Sequence, residues 1–296
     1  MINIQELQVN FGNFRALDIH QSITINQGDR IGIIGSNGAG KSTLVKSILG
    51  LTHYQGKIES DISHQQMAVH MQENHYVKTV SVKNIIQAIL NTSIKTDKKL
   101  QELIQFFEFE NCLNKRFQHL SGGQKQRLTI ILILMQDAPL TFFDEVTSGL
   151  DFETRTKLMK KIAAWYEGKD ASICLVSHYY DELEALTDKL LILEQGQLVD
   201  FGETQVLFEK YCGRVVLTIE DNQANQALTA KWKRLTAPDG VIALTCKDNE
   251  EELQLVRLLS ENNINYRRSN FDIEILFTNA IAQFNENKEN GVPTHE

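Results

Sequence analysis

The stretch Gly35-Ser36-Asn37-Gly38-Ala39-Gly40-Lys41-Ser42 fits G-x-x-x-x-G-K-[ST], the pattern of a loop that wraps nucleotide phosphates. Its flanks come in the required order. Asp29-Arg30-Ile31-Gly32-Ile33-Ile34 is a short apolar run of the kind that makes a buried parallel strand. Downstream, Leu44, Val45, Ile48 and Leu49 have helical spacing. In a strand–loop–helix unit, Gly35, Gly38 and Gly40 let the backbone turn sharply and aim N–H groups inward. The helix N-terminus adds its positive end to those donors. Lys41 supplies a point charge for the β- and γ-phosphates, and the Ser42 hydroxyl suits a Mg²⁺ ion. Ser36, Asn37, Ala39 and Thr43 belong to the same binding set. A chance match in a chain this long is expected on the order of one time in a hundred, before the flanks are considered.

A second glycine-rich string, Leu120-Ser121-Gly122-Gly123-Gln124, precedes a helical run from Gln124 to Leu132 that Pro139 bounds. Ser121 reads as its N-cap, which makes this turn another anion site. One phosphate loop does not need a second cradle of its own. With this pentapeptide the chain resembles the ATP-binding cassette (ABC) ATPases over about residues 1–208, and Ser121 to Gln124 match that family's signature motif.

Other motifs follow in the family's order. Leu140-Thr141-Phe142-Phe143-Asp144-Glu145 resembles the Walker B strand, and Ser148-Gly149-Leu150-Asp151 the D-loop. Gln72 stands where the Q-loop glutamine is expected, with Gln65 and Gln66 as poorer candidates, and His178 matches the switch histidine. Phe11 lies where the family places an aromatic ring against adenine, although Phe14 is nearby and either ring could be core. Phosphoryl transfer needs charge neutralisation and an aligned nucleophile, and these residue types supply both. Asp144 can hold the Mg²⁺ shell and Glu145 can polarise the attacking water. His178 ends the apolar run from Ser172 and can donate to the γ-phosphate, while Gln72 can contact metal or water.

The resemblance implies that Ser121 and Gly123 bind the γ-phosphate held by another subunit, giving a two-fold sandwich with ATP buried at a self-complementary interface. It also implies a separate multi-spanning membrane permease as partner, with the ATPase a homodimer or pseudo-symmetric heterodimer at the cytoplasmic face of the membrane. Two positions depart from the family's pattern: Val146 and Phe152 stand where proline is common. Neither removes a reacting group.

Composition agrees with this reading. The 296 residues carry a formal charge of −8, which argues against a nucleic-acid binder relying on general electropositive attraction. Cys112, Cys174, Cys212 and Cys246 are scattered without C-x-x-C spacing and fit a reduced cytosolic protein. His64, His70 and His75 show no ligand spacing and read as surface residues. No apolar stretch approaches the ~20 residues of a membrane span, and the N-terminus lacks signal or transit character.

The expected fold is α/β: a P-loop ABC ATPase core with an N-terminal antiparallel β-subdomain and an inserted helical subdomain, followed by a small C-terminal α/β domain. We expect the ATPase domain over 1–210, with the helical subdomain at about 73–120, an accessory domain over 211–283 and a disordered polar tail over 284–296. Residues 1–28 alternate as half-buried antiparallel strands do, and Lys57-Ile58-Glu59 returns after a turn at Gly56. Glu194-Gln195-Gly196 signals a hairpin, Glu251 to Leu259 an amphipathic helix, and a polar cap near Asn270 opens a last helix. Tyr76, Val77 and Val80 suit either a docking surface for a membrane subunit or internal packing.

The strand–helix alternation after residue 214 resembles the accessory domain of ABC-2-type exporter ATPases, which makes export the leading expectation. An importer ATPase with a regulatory C-terminal domain is the alternative. A soluble ABC ATPase acting on ribosomes, DNA or cofactor assembly is a third. The single cassette and the absence of long coiled coils weigh against that third reading.

Overall fold

The computed structural model describes residues 1–71 and 76–290. It begins with three antiparallel strands, β1 (Ile2–Phe11), β2 (Phe14–Ile19) and β3 (Ile23–Ile25), then β4 (Arg30–Gly35), α1 (Lys41–Ile48), β5 (Gln55–Ser60) and β6 (Met67–His70). A helical region follows: α2 (Val82–Leu90), α3 (Lys98–Phe106) and α4 (Gly122–Leu134). The chain then alternates through β7 (Leu140–Asp144), α5 (Phe152–Tyr166), β8 (Ser172–Val176), α6 (Tyr180–Leu186), β9 (Lys189–Glu194), β10 (Gln197–Glu203) and α7 (Thr204–Cys212). The C-terminal segment comprises β11 (Val215–Glu220), α8 (Gln223–Leu228), β12 (Arg234–Leu235), β13 (Val241–Cys246), α9 (Asn249–Glu261), β14 (Arg267–Ser269) and α10 (Ile273–Glu289).

The six-stranded sheet has the order β10-β9-β4-β8-β7-β6, parallel except for β10. Its central strands β4, β7, β8 and β9 are buried on both faces, as a sheet covered on both sides must be. Phe142, Cys174, Val176 and Leu191 pack with Ile4, Leu7, Leu17, Leu44 and Val45. The alternate residues Phe143, Ile173, Leu175 and Ile192 pack toward Ile86, Leu103, Phe107, Leu128 and Ile131 of the helical region. One period-2 pattern therefore fixes a β layer on one side and helices on the other.

The N-terminal sheet, β2-β1-β3 with β5 also on β1, contains a defect that positions its core. Ile2 and Ile4 are buried, and so are Leu7 and Val9, two pairs of opposite parity. An extra residue must intervene, and Glu6 takes it with φ 50 in a β-bulge. Gly56 is thus no turn. It lies inside β5 opposite the bulge, where a Cβ would meet the Glu6 carbonyl oxygen and φ is +103.

Several expectations for the rest of the chain hold. Gln195 and Gly196, at φ 49 and 80, form the two-residue β9–β10 hairpin turn. The α9 helix buries Leu255 and Leu259, and Asp272 caps α10 by accepting from the Ile275 N–H at 3.0 Å.

The C-terminal segment forms an antiparallel sheet, β12-β13-β11-β14, with two unlike faces. Val215, Leu217, Ile242 and Leu244 close a private core with Leu255 and Leu259. Val216 and Ala243 join the larger cluster that contains Leu207 and Phe208 of α7 and Ile273, Leu276 and Ala280 of α10. The ring of Phe277 lies 6.3 Å from that of Tyr180 on α6. The last helix therefore packs back onto the ATPase region.

Two further expectations need correction. The polar run from Asn285 to Glu289 is helical, the last turns of α10, held by buried Phe284. Residues 291–296, on which the rest of the expected tail falls, lie outside the described residues. His70 is not a surface residue. It is fully buried on β6, where its Nε2 lies 2.8 Å from Gln126 Oε1.

Candidate active site

The phosphate loop sits at the carboxyl end of β4, central in the six-stranded sheet, where open α/β folds bind ligands. Gly40 is the N-cap of α1, left-handed at φ 100 and without a side-chain cap, so the first N–H groups of the helix keep their donor capacity. The position admits no other residue easily: a Cβ would stand 2.5 Å from Leu17 and 2.9 Å from the Ala16 carbonyl of β2. Lys41 folds back over the loop, its Nζ donating to the carbonyls of Gly35 at 2.8 Å and Ser36 at 3.0 Å. Burial lowers the Lys41 ammonium below the usual lysine range, against the pull of Glu145, Asp144 and Glu194. Three carboxylates around one desolvated cation leave the site net negative, so a phosphate ligand there needs a divalent cation alongside it.

Asp144 closes β7, and its Oδ2 accepts from the Ser42 hydroxyl at 3.0 Å. Burial raises its carboxyl above the usual range; neighbouring Glu145 adds to that, while the Ser42 hydrogen bond and Lys41 oppose it. One hydroxyl and one partly desolvated carboxylate at contact distance fit Mg²⁺. That hard cation is commonly held by one or two protein oxygens, with phosphate and water completing its shell.

Glu145 follows with φ 49, a left-handed glutamate at the strand end. Such a backbone costs of order 1 kcal/mol or more and re-aims the side chain. Its N–H donates to Val176 O at 3.0 Å, and its Oε1 lies 3.0 Å from Nε2 of His178. Parallel β7 and β8 thus deliver Asp144, Glu145 and His178 to one edge beside the loop.

Sequence reasoning left one loop contact unassigned. Ser36 Oγ donates to Glu194 Oε2 at 2.7 Å, and Glu194 is buried at the end of β9. The available signal is an acidic residue closing the apolar run Leu190–Leu193, at a position that the hairpin pattern alone already accounts for.

The signature turn is built differently. Ser121 accepts from the Gln124 N–H at 3.3 Å while Gln124 Oε1 accepts from the Ser121 N–H at 3.1 Å, a reciprocal capping box. Ser121 and Gly122 remain exposed. A Cβ on Gly123 would approach Thr154 to 2.9 Å and one on Gly122 would approach Leu150 to 3.6 Å, so this turn abuts the D-loop of its own chain. Asp151 is the N-cap of α5, accepting from the Thr154 N–H at 3.0 Å and its hydroxyl at 2.7 Å. Phe11 and Phe14 pair across the β1–β2 hairpin, and both are exposed, 53% and 65%. Gln72 lies outside the described residues. Of the expected docking residues, Val77 is exposed, whereas Tyr76 packs on Phe117 with ring centroids 5.2 Å apart and Val80 packs against the core.

A strand–loop–helix phosphate cradle, an acidic strand end and a histidine in the loop after the next strand define a phosphate-binding α/β ATPase site. The ABC transporter family profile matches residues 20–148. The thiamine import ATP-binding protein ThiQ of Haemophilus influenzae is 31% identical over 199 residues, covering 63% of this chain and 93% of that protein. The Nod factor export ATP-binding protein I of Rhizobium sp. is 30% identical over 212 residues, 67% of this chain and 69% of that protein. Among solved structures, an ATP-binding subunit of an ABC transporter aligns with TM-score 0.63 at 22% identity, over 72% of this chain and 94% of the other. The dimeric cassette MJ0796 with ADP and Pi aligns with TM-score 0.59 at 20% identity, over 69% and 98%. The chain belongs to the ABC transporter family as an ATP-binding, ATP-hydrolysing subunit coupled to transport.

Proposed function

We propose that this chain is one half of a two-fold ATP sandwich that powers export through a separate multi-spanning membrane permease. The observation that carries the proposal is the asymmetry within one chain. A compact cluster of loop, Asp144, Glu145 and His178 stands beside β4, while the exposed signature turn has its cap satisfied by Gln124 and its glycines against its own D-loop. A phosphate-binding turn with no phosphate loop of its own to serve fits a nucleotide held by a second subunit.

In this reading, residues 35–43 cradle the triphosphate, Lys41 leaves its loop carbonyls for the β- and γ-phosphates, and Phe11 lies against adenine. Ser42, Asp144 and Gln72 hold Mg²⁺, which neutralises phosphate charge when bound. Glu145 accepts a proton from the attacking water, and His178 steadies the γ-phosphate. Ser121, Gly122, Gly123, Gln124 and Asp151 act on the partner's nucleotide. The closed dimer binds ATP better than the open one, which is what lets ATP drive a conformational change.

Among the described residues no helix is long and apolar enough to cross a membrane, which supports a separate permease that holds the subunit at the cytoplasmic face. Export draws support from the strand–helix order of the accessory unit, expected over 211–283 and here extended to the end of α10 at Glu289, and from the Nod factor export relatives. Import is a second reading, favoured by ThiQ and by the methionine import protein MetN of Clostridium tetani, whose 27% identity extends over 241 residues. Inside-out membrane vesicles containing this chain and its co-purified membrane subunit distinguish them. Export gives ATP-dependent accumulation of cargo, whereas ATP-dependent release would establish import.

A further inference from the structure

Behind the reacting cluster lies a buried acid whose hydrogen bonds go to the two segments that carry Glu145 and His178. Glu182, on α6, is 2% exposed. Its Oε1 accepts from the Thr147 hydroxyl at 2.5 Å and its Oε2 from the Ser177 hydroxyl at 2.6 Å. The guanidinium of Arg155, on α5, approaches Glu182 at 3.4 Å. Thr147 lies two residues after Glu145, and Ser177 immediately precedes His178. Ser177 Oγ also accepts from the Tyr179 N–H at 3.0 Å, so the backbone on both sides of His178 is pinned to one hydroxyl.

Arg155 reinforces the tie. Its guanidinium lies 3.7 Å over the ring of Tyr179 and 3.1 Å from Asp181. Two separate bridges therefore join the segment leaving β7 to the loop leaving β8, and both centre on Glu182 and its neighbours. A buried carboxylate is expensive unless paired, and a hydrophobic residue could hold two helices together at lower cost. What the carboxylate adds is a fixed distance between two loops through directional bonds to both.

We infer that Glu182 is a positioning residue. By tying Thr147 to Ser177, it holds His178 at Glu145 in the geometry needed for hydrolysis. The inference rests on the roles proposed above for Glu145 and His178. Its result is a turnover effect transmitted through His178, with nucleotide binding at the phosphate loop left alone.

The test uses the full chain, with Glu182→Ala and Glu182→Gln each made in the native and in a His178→Ala background. Saturating-ATP kcat, affinity for labelled ATP and thermal midpoint are measured for each. Glu182→Ala is expected to lower kcat by ~10-fold or more with ATP affinity within ~3-fold, and to add less than ~2-fold once His178 is gone. Glu182→Gln, which keeps the shape and loses the charge, falls between the native chain and Glu182→Ala. An unchanged kcat, or an equal loss in both backgrounds, overturns the inference while leaving the roles of Glu145 and His178 standing. A His178→Ala chain as fast as the native one overturns the role of His178 and the inference together. If Glu182→Ala does not fold, Thr147→Val and Ser177→Ala each remove one of the two donors and must show the same dependence on His178.

Discussion

The two glycine turns of this protein differ in what completes them. The phosphate loop is surrounded by its own chain. Lys41 lies on its carbonyls, Ser42 on Asp144, Ser36 on Glu194, and β2 crowds Gly40. The signature turn has a satisfied helix cap and a D-loop beneath it, while Ser121 and Gly122 face outward. One turn is a finished half-site with its charges gathered. The other is an exposed, capped helix start, and the cations Arg127, Lys157, Lys160 and Lys161 line a pocket beside Gly123 together with Glu108. Pre-organisation of donors and charges is what an anion site needs, and a single chain supplies it at only one of its two turns.

Breaking the charged half should produce the largest effect. Glu145→Gln removes the proposed proton acceptor, and kcat for ATP hydrolysis is expected to fall ~10²–10⁴-fold with ATP affinity retained. A native rate would remove Glu145 from that role. Lys41→Ala comes next. Loss of a charge-assisted contact to phosphate is expected to weaken ATP binding ~10–100-fold, read by titration with labelled nucleotide. Unchanged affinity would mean that Lys41 stays on its own loop carbonyls when nucleotide binds.

The smallest effect concerns β6, the edge strand of the six-stranded sheet. Burial holds the His70 imidazole below its ordinary value. Between the native and unfolded values the unfolded chain binds the extra proton. The His70 contribution to stability is therefore complete above about pH 6.5 and is lost, by at most ~1.4 kcal/mol per pH unit, as the pH falls below that. Buried Asp144 and Glu182 and half-buried Glu184, whose carboxyls desolvation raises, act in the opposite sense at lower pH. The check is thus a difference: His70→Gln should flatten the fall in thermal midpoint between pH 7 and 5.5, and an unchanged slope would contradict it.

How much of this was legible in the sequence depends on the range of the interaction that decides each feature. The phosphate loop, the β9–β10 hairpin and the Ser121 cap are local, fixed by a few consecutive residues, and each lies where the sequence reading puts it. Gly56 depends on a bulge in another strand, announced only by the change of parity between Ile4 and Leu7. His70 sits on a four-residue strand too short to show its own pattern, and α4 buries it. The end of α10 reads as polar tail because its anchor, Phe284, finds its partners elsewhere in the chain. The roles of Glu194 and Glu182 are illegible in the sequence for the same reason. A carboxylate at the end of a strand or in the first turn of a helix is common, and its meaning here comes from Ser36, Thr147 and Ser177, all distant or across a loop.

Sharing of ATP between two copies is the central claim, and the association state of two variants tests it most directly. With saturating ATP, Glu145→Gln is expected to sediment as a dimer that returns to monomer when nucleotide is removed. Glu145→Gln combined with Ser121→Arg should stay monomeric while each chain still binds labelled ATP. A nucleotide-loaded Glu145→Gln chain that remains monomeric at high concentration beside its membrane subunit, or a double variant that dimerises as well as the single one, would contradict the account.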